Sequence, residues 1–273
     1  MGSVFLSAGE ASGDWTGALL AEALRRHAEV RLTGIGGKRM AAAGVELVAD
    51  SSGWGAIGVF EAVRKVPRIW RAMRLARWRL AKGSPSAVVL VDCGAFNMPL
   101  ARAARGLGLR TLYYFPPGSW SRRARNLEVR EVAEVIATPF PWSRDLLAGG
   151  RARVEWVGHP AVDSARPSLP AAQAWARYGL HPGRPVVALA PGSRDQEIHY
   201  LLPALAQAAA RLGRQFPGMQ FLVPVAPSLR REQVMTPLEK SGVSATLLDG
   251  MDYDALQLAQ AAAVCSGTAT LEF

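Results

Sequence analysis

Cysteine and histidine are scarce in this chain, with 2 of one and 4 of the other among 273 residues. Cys93 and Cys265 lie far apart, each after a strand-like run, which excludes a disulfide framework and fits a reducing compartment. His27, His181 and His199 show no ligand spacing and no Cys/His cluster suggests zinc, so neither a metal nor a cofactor is expected. Long apolar runs are missing too. None approaches the roughly 18 residues of a membrane span, and MGSVFLSAGE lacks the basic start and apolar core of a signal peptide. A soluble cytoplasmic protein is the expectation. Acid is in deficit, 22 Asp and Glu against 32 Lys and Arg, for a formal net charge of +10. That excess seeks an anion, whether nucleic acid, an acidic membrane or a phosphorylated substrate. What is present is a hydrophobic content of 49%, enough for real cores.

Strand and helix signals alternate from the first residue. Val4–Ser7, Arg31–Ile35, Thr111–Phe115, Val135–Thr138 and Val154–Val157 read as strands, with helices from about Trp15 to Arg26, over Met40–Ala43, over 60–82 and over Pro99–Arg105. After Gly158-His159-Pro160 and the Pro-containing stretch up to Pro170 the same grammar restarts. Val186–Ala190, Phe221–Val225, Thr246–Leu248 and Ala262–Cys265 are strand candidates there, with helices over Glu197–Phe216 and Arg230–Ser241. The fold class expected is α/β, two Rossmann-like parallel-sheet domains over residues 1–165 and 166–273. The chain stops at Phe273 just as a strand-to-helix turn opens, so the second domain is expected to be truncated.

The stretch AVVLVDCGAFN, Ala87–Asn97, organises the rest. A β-branched run without polar alternation marks a strand covered on both faces. Asp92 then stands at the carboxyl end of a buried strand, where open α/β sheets bind ligands, and a carboxylate there is hard to justify as packing. Asp92 is the candidate catalytic base. Asn97 follows it as a second polar residue.

Three turns read as ligand cradles. GEASGD, Gly9–Asp14, is not the dinucleotide fingerprint, and Glu10 and Asp14 suit sugar hydroxyls better than phosphate. Glu10, Ser12, Asp14 and Asn97 are therefore assigned to an acceptor side, although Ser12 or Asp14 serving only as a helix N-cap is the bland alternative. In PGSRDQE, Gly192, Ser193 and Arg194 open a helix, with Ser193 and Gln196 at capping-box spacing. A guanidinium beside a helix N-terminus meets a like-signed dipole end unless an anion joins them, and a diphosphate would satisfy both. A solvent-exposed arginine is the alternative. SGTATLE supplies Ser266, Gly267, Thr268 and Glu272 as an opposite wall of the same donor site.

Residues 64–82 carry a run of base without acid: Arg64, Lys65, Arg68, Arg71, Arg74, Arg77, Arg79 and Lys82. Ile69, Met73, Ala76 and Leu80 make an apolar helical face, and Trp70 and Trp78 suit a lipid–water boundary. Such a helix reads as a membrane-surface element, extended by GAIGVF at Gly55–Phe60; a core helix with a solvated basic face is the alternative. No nucleic-acid motif accompanies the charge, so nucleic acid is not expected as a partner. Arg122, Arg123 and Arg125, after Trp120, add anion affinity or are simply exposed. His159 is a candidate base, or a histidine packed at the domain boundary.

Taken in order, AGEASGD, GIGGKRM, GAIGVFEAV, VDCGAFN, VGHPAVD, PGSRDQEI, LLDGM and SGTATLE resemble the motifs of the lipid-A-disaccharide synthases, bacterial glycosyltransferases of the GT-B class. The resemblance implies transfer of 2,3-diacylglucosamine from UDP-2,3-diacylglucosamine to 2,3-diacylglucosamine 1-phosphate, giving a β(1→6) disaccharide and UDP without a metal. It also implies an acceptor-binding, membrane-touching N-terminal half at the inner face of the cytoplasmic membrane, and a C-terminal half that holds the UDP-sugar. Asp92 matches the family's base and Arg194 its essential arginine. The pattern departs at Ala95, where the family has a second aspartate, and at Arg122, where it has a tryptophan. A glycosyltransferase with another acceptor and a non-catalytic nucleotide-sugar- or lipid-binding relative therefore stay open. A nucleotide-sugar epimerase ranks below them, and a homo-oligomer is left open.

Overall fold

The structure, a computed structural model, describes residues 2–54, 59–117, 119 and 127–273, with the side chains of 59–65 outside that description. Most of GAIGVF, Trp120, Arg122, Arg123, Arg125 and the side chains of Arg64 and Lys65 thus lie outside the described residues. The chain divides into two compact units, Met1–Pro160 and Ala161–Phe273.

The first unit runs β1 (Gly2–Ala8), α1 (Glu10–His27), β2 (Val30–Gly36), α2 (Lys38–Ala42), β3 (Glu46–Asp50) and α3 (Val59–Gly83). It continues through β4 (Ala87–Val91), α4 (Gly94–Gly106), β5 (Thr111–Tyr114), α5 (Val129–Val132), β6 (Val135–Thr138), α6 (Pro141–Leu147) and β7 (Arg153–Trp156). Its strands form one parallel sheet in the order β3-β2-β1-β4-β5-β6-β7. The chain winds outward from β1 to β3, then returns to β4 and winds the other way. The order therefore reverses between β1 and β4, the crevice where such sheets bind ligands. Helices cover both faces, so β4 is apolar on both sides and Val88, Val89, Leu90 and Val91 are all buried. Phe5, Val88, Leu90, Tyr113 and Ile136 pack with Ala76 and Leu80 of α3 and Leu100 and Ala104 of α4. On the other face Leu6, Ala8, Val89 and Val91 pack with Ala18 and Ala21 of α1 and Met40 of α2.

The second unit runs α7 (Ala161–Ser164), α8 (Ala171–Arg177), β8 (Val186–Ala190), α9 (Asp195–Gln215), β9 (Gln220–Val225), α10 (Arg231–Lys240), β10 (Thr246–Asp249), α11 (Tyr253–Leu256) and β11 (Ala261–Val264). A 3₁₀ turn over Thr268–Leu271 follows. Its parallel sheet has the order β10-β9-β8-β11, so the winding reverses between β8 and β11. Asp254 ties the lead-in segment to α11, accepting from the Ser168 and Leu169 N–H groups at 2.5 and 2.8 Å.

Three expectations shift. α1 begins at Glu10 and not near Trp15, so most of GEASGD is the first turn of a helix. α4 begins at Gly94, and Pro99 sits inside it. β3 has no counterpart in the sequence reading, because its ELVAD offers only three consecutive apolar residues and carries acid at both ends.

Candidate active site

At the carboxyl edge of the larger sheet the backbone is strained in one place. Glu10 follows β1 with φ 60°, Asp92 and Cys93 follow β4 with φ 46° and 44°, and Phe115 follows β5 with φ 56°. For residues other than glycine each costs about 1–3 kcal/mol and persists only where the surroundings over-determine it. The three strands are neighbours, so the strained residues cluster beside the β1/β4 crevice. Gly9 permits the approach of the tips: a Cβ there would lie 2.4 Å from Cys93 Sγ.

Burial pushes the Asp92 carboxyl above the usual aspartate range, and the Glu10 carboxylate adds to the rise, while a bond from the Cys93 N–H offsets part of it. Burial likewise pushes the Cys93 thiol up to about 11, so it stays protonated. An aspartate held in this way is a stronger base than an exposed one, provided it is ionised.

Two of the acceptor-side residues are turned inward. Asp14 is buried, and its carboxylate accepts from the N–H groups of Gly37 (2.7 Å), Arg39 (3.0 Å) and Met40 (3.0 Å). It caps α2 across space and does not cap α1, whose N-cap is Gly9. This explains GIGGKRM: a Cβ on Gly37 would lie 2.6 Å from Asp14 Oδ2. Asn97 is fully buried and staples β1 to the end of β4. Its Oδ1 accepts from Ser7 Oγ at 2.7 Å, and its Nδ2 faces the carbonyls of Ser7, Val91 and Asp92 at 3.1, 2.9 and 3.0 Å. Glu10 and Ser12 remain in the first turn of α1, Glu10 within electrostatic reach of Asp92. Ala95 is exposed in the first turn of α4.

In the second unit Arg194 is the N-cap of α9, and its capping partner is Glu197, not the Gln196 expected for Ser193. Glu197 Oε2 accepts the Ser193 and Arg194 N–H groups at 2.8 and 3.1 Å, and Oε1 lies 2.8 Å from Arg194 Nη1. The anion that reconciles the guanidinium with the helix dipole is therefore already in the protein. Arg194 nonetheless keeps 44% of its side chain exposed. β11 pairs with β8, and the Cys265 N–H donates to Ala190 O at 2.8 Å, so the turns carrying Arg194 and Ser266-Gly267-Thr268 start side by side. The Cys265 thiol registers that closeness: burial raises it, Glu197 raises it further and Arg194 pulls it back. Ser266 and Gly267 are exposed, while Glu272 accepts from Tyr253 Oη at 2.5 Å.

His159 is buried among aromatic rings, stacked on Phe115 at 5.2 Å and parallel to Phe140 at 6.4 Å. Burial depresses its pKa to about 4, so it is neutral at pH 7 and packs among rings of the first unit.

α3 turns Ala72, Ala76 and Leu80 into the core, with Ile69 and Met73 packed against it. Trp70 and Trp78 are 60% and 55% exposed, with Arg74 and Arg79 over their rings at 4.7 and 5.8 Å. Arg68 and Arg79 pair with Asp50 and Glu46 of β3. The basic face is thus the outer side of a core helix, and it carries the two indoles with it. Among the described residues no helix is long and apolar enough to cross a membrane.

Sequence reasoning passed over Glu197 and Tyr113. Ser193/Gln196 and Arg194/Glu197 share one spacing, and only the stronger affinity of a carboxylate for a helix N-terminus separates them. Tyr113 is a hydroxyl inside a buried strand, which always needs a partner.

A family model described as lipid-A-disaccharide synthetase matches residues 4–273. The lipid-A-disaccharide synthase of Geobacter sulfurreducens is 38% identical over 271 residues, 98% of this chain and 71% of that protein. Among solved structures, a calicheamicin glycosyltransferase superposes with a TM-score of 0.61 at 14% identity, covering 100% of this chain and 77% of that one. A UDP-GlcNAc 2-epimerase from Neisseria meningitidis bound to UDP-GlcNAc gives 0.63 at 12% identity, covering 94% and 75%. These distant structures share the GT-B fold, whereas the family rests on the sequence matches. The chain belongs to the lipid-A-disaccharide synthases, glycosyltransferases that build the lipid A disaccharide.

Proposed function

We propose that the chain joins UDP-2,3-diacylglucosamine to 2,3-diacylglucosamine 1-phosphate, with Asp92 as general base and Arg194 as the stabiliser of the departing UDP. A sugar hydroxyl is a poor nucleophile. The ionised Asp92 carboxylate takes the proton of the acceptor 6-hydroxyl as its oxygen bonds to the donor's anomeric carbon. The bond from that carbon to the β-phosphate oxygen breaks with inversion, and UDP carries away the electron pair. Arg194 and the donors of the Ser266–Thr268 turn meet the charge that develops on the diphosphate. Glu10 and Ser12 contact the acceptor, while Asp14 and Asn97 hold the backbone around it. The observation that carries the reading is Asp92 itself, a strained, half-buried carboxylate of raised pKa at the sheet's reversal point.

The outer face of α3 lies against the anionic inner surface of the cytoplasmic membrane, its arginines on lipid phosphates and Trp70 and Trp78 at the headgroup boundary. The test is UDP release by the full-length protein with both diacylated substrates. Asp92→Ala is expected to lower turnover by roughly 10²–10⁴ with the fold intact. No UDP release by the unaltered protein at any acyl length would favour a non-catalytic relative, in line with the departure at Ala95.

A further inference from the structure

We infer that Tyr113 and Asn97 are positioning residues for Asp92, clamping its main-chain carbonyl so that the left-handed backbone, and with it the carboxylate, is held in one orientation. The inference rests on the reading of Asp92 as the base.

Asp92 is half in the sheet and half out of it. Its N–H still belongs to the ladder, donating to Tyr114 O at 3.0 Å. Its carbonyl has left the ladder. It receives Tyr113 Oη–H from the neighbouring strand at 3.0 Å and Asn97 Nδ2–H from the first turns of α4 at 3.0 Å. A φ of 46° at Asp92 followed by 44° at Cys93 is disfavoured for both side chains, so this orientation needs an external hold. The two donors supply it from two different elements, and Ser7 extends the hold to β1 by donating to Asn97 Oδ1 at 2.7 Å. Tyr113, Asn97 and Ser7 are all completely buried, so none is available to a ligand.

Packing alone does not account for Tyr113. It stands among Phe5, Val88, Leu90 and Ile136, where phenylalanine would fill the same space without a hydroxyl to desolvate. Burial and the nearby Asp92 raise its pKa well above that of a free phenol, which leaves the hydroxyl a permanent donor. Its bond goes to the main-chain carbonyl of Asp92, the carboxylate that follows β4 at the β1/β4 crevice.

The experiment compares Tyr113→Phe in two backgrounds, unaltered and Asp92→Asn, by UDP release from the full-length protein. Tyr113→Phe is expected to lower kcat roughly 10-fold with KM for both substrates unchanged, because a misaimed base slows chemistry and leaves binding alone. In the Asp92→Asn background, where no base remains to aim, the same change is expected to cost less than about twofold. Equal losses in both backgrounds would make Tyr113 a packing residue only. A normal kcat for Tyr113→Phe beside a crippled Asp92→Asn would overturn the positioning role and leave the base intact. A normal turnover for Asp92→Asn alone would remove the base reading, and this inference with it. If Tyr113→Phe does not fold, Ser7→Ala, which frees the Asn97 amide, makes the same comparison.

Discussion

Glu197 grips Arg194 by main chain and side chain at once: Oε2 accepts the Arg194 N–H at 3.1 Å while Oε1 lies 2.8 Å from Nη1. The carboxylate both closes the start of α9 and sets where the guanidinium waits. Glu197→Ala should therefore lose stability and aim together. We expect a loss of about 1–2 kcal/mol in urea denaturation and a raised KM for the UDP-sugar, with Glu197→Gln retaining most of the stability because an amide oxygen still caps. An unchanged denaturation midpoint for Glu197→Ala would show that the turn holds itself.

Asp92 acts as a base only when ionised, so kcat/KM should fall as pH drops through its pKa. Burial and Glu10 raise that pKa, which moves the acid limb above the range of an exposed aspartate. The sign for stability is opposite to that for activity. A carboxyl raised in the folded state favours the protonated form, so its ionisation destabilises the fold as pH rises. Asp92→Asn should melt at a higher temperature than the parent at pH 7, with the margin narrowing towards pH 3. A margin independent of pH would mean that the carboxylate is not held against its charge.

His159 titrates the other way. Its folded pKa of about 4 lies below the ordinary 6.5, so the fold prefers the neutral ring. The stability this confers is complete above pH 6.5 and is lost as pH falls towards 4, by roughly 3 kcal/mol over the full window. Urea titrations of the parent and His159→Phe at pH 7 and pH 4.5 measure it. The parent is expected to lose roughly 2–3 kcal/mol more than the variant between the two.

On α3, Arg68 and Arg79 already have acidic partners, which leaves Arg71, Arg74 and Arg77 as the informative changes. Neutralising those three to glutamine should weaken binding to vesicles of anionic phospholipid by about 1 kcal/mol per residue, on the order of 10² in affinity. Binding by the parent should fall with added salt. Vesicle affinity that survives both the substitutions and the salt would place the contact elsewhere.

Much of the architecture was legible because parallel strands covered on both faces are apolar throughout. AVVLV before Asp92 and VVALA before Pro191 announce themselves without any knowledge of their neighbours. β3 was not legible, since three apolar residues between two acids are too short a run to separate from a loop. The site divides in the same way. Asp92 and Arg194 stand directly after such runs, and local order alone puts them at a sheet edge. Asp14 and Asn97 sit at equally suggestive places and yet face inward, because each binds backbone remote in sequence, Gly37 for Asp14 and Ser7 for Asn97.

Composition and local order determined that this chain alternates strand and helix, that it carries excess positive charge concentrated on one helix, and that a carboxylate and a guanidinium follow two buried strands. Those properties belong to single segments and survive without a fold. Only the tertiary structure decided that Asp14 turns inward to cap α2, that α3 shows its indoles outward, and that Tyr113 and Asn97 converge on one carbonyl. The polar ones among them are contacts between elements, made when burial leaves a polar group no solvent and forces it to find a partner inside the protein.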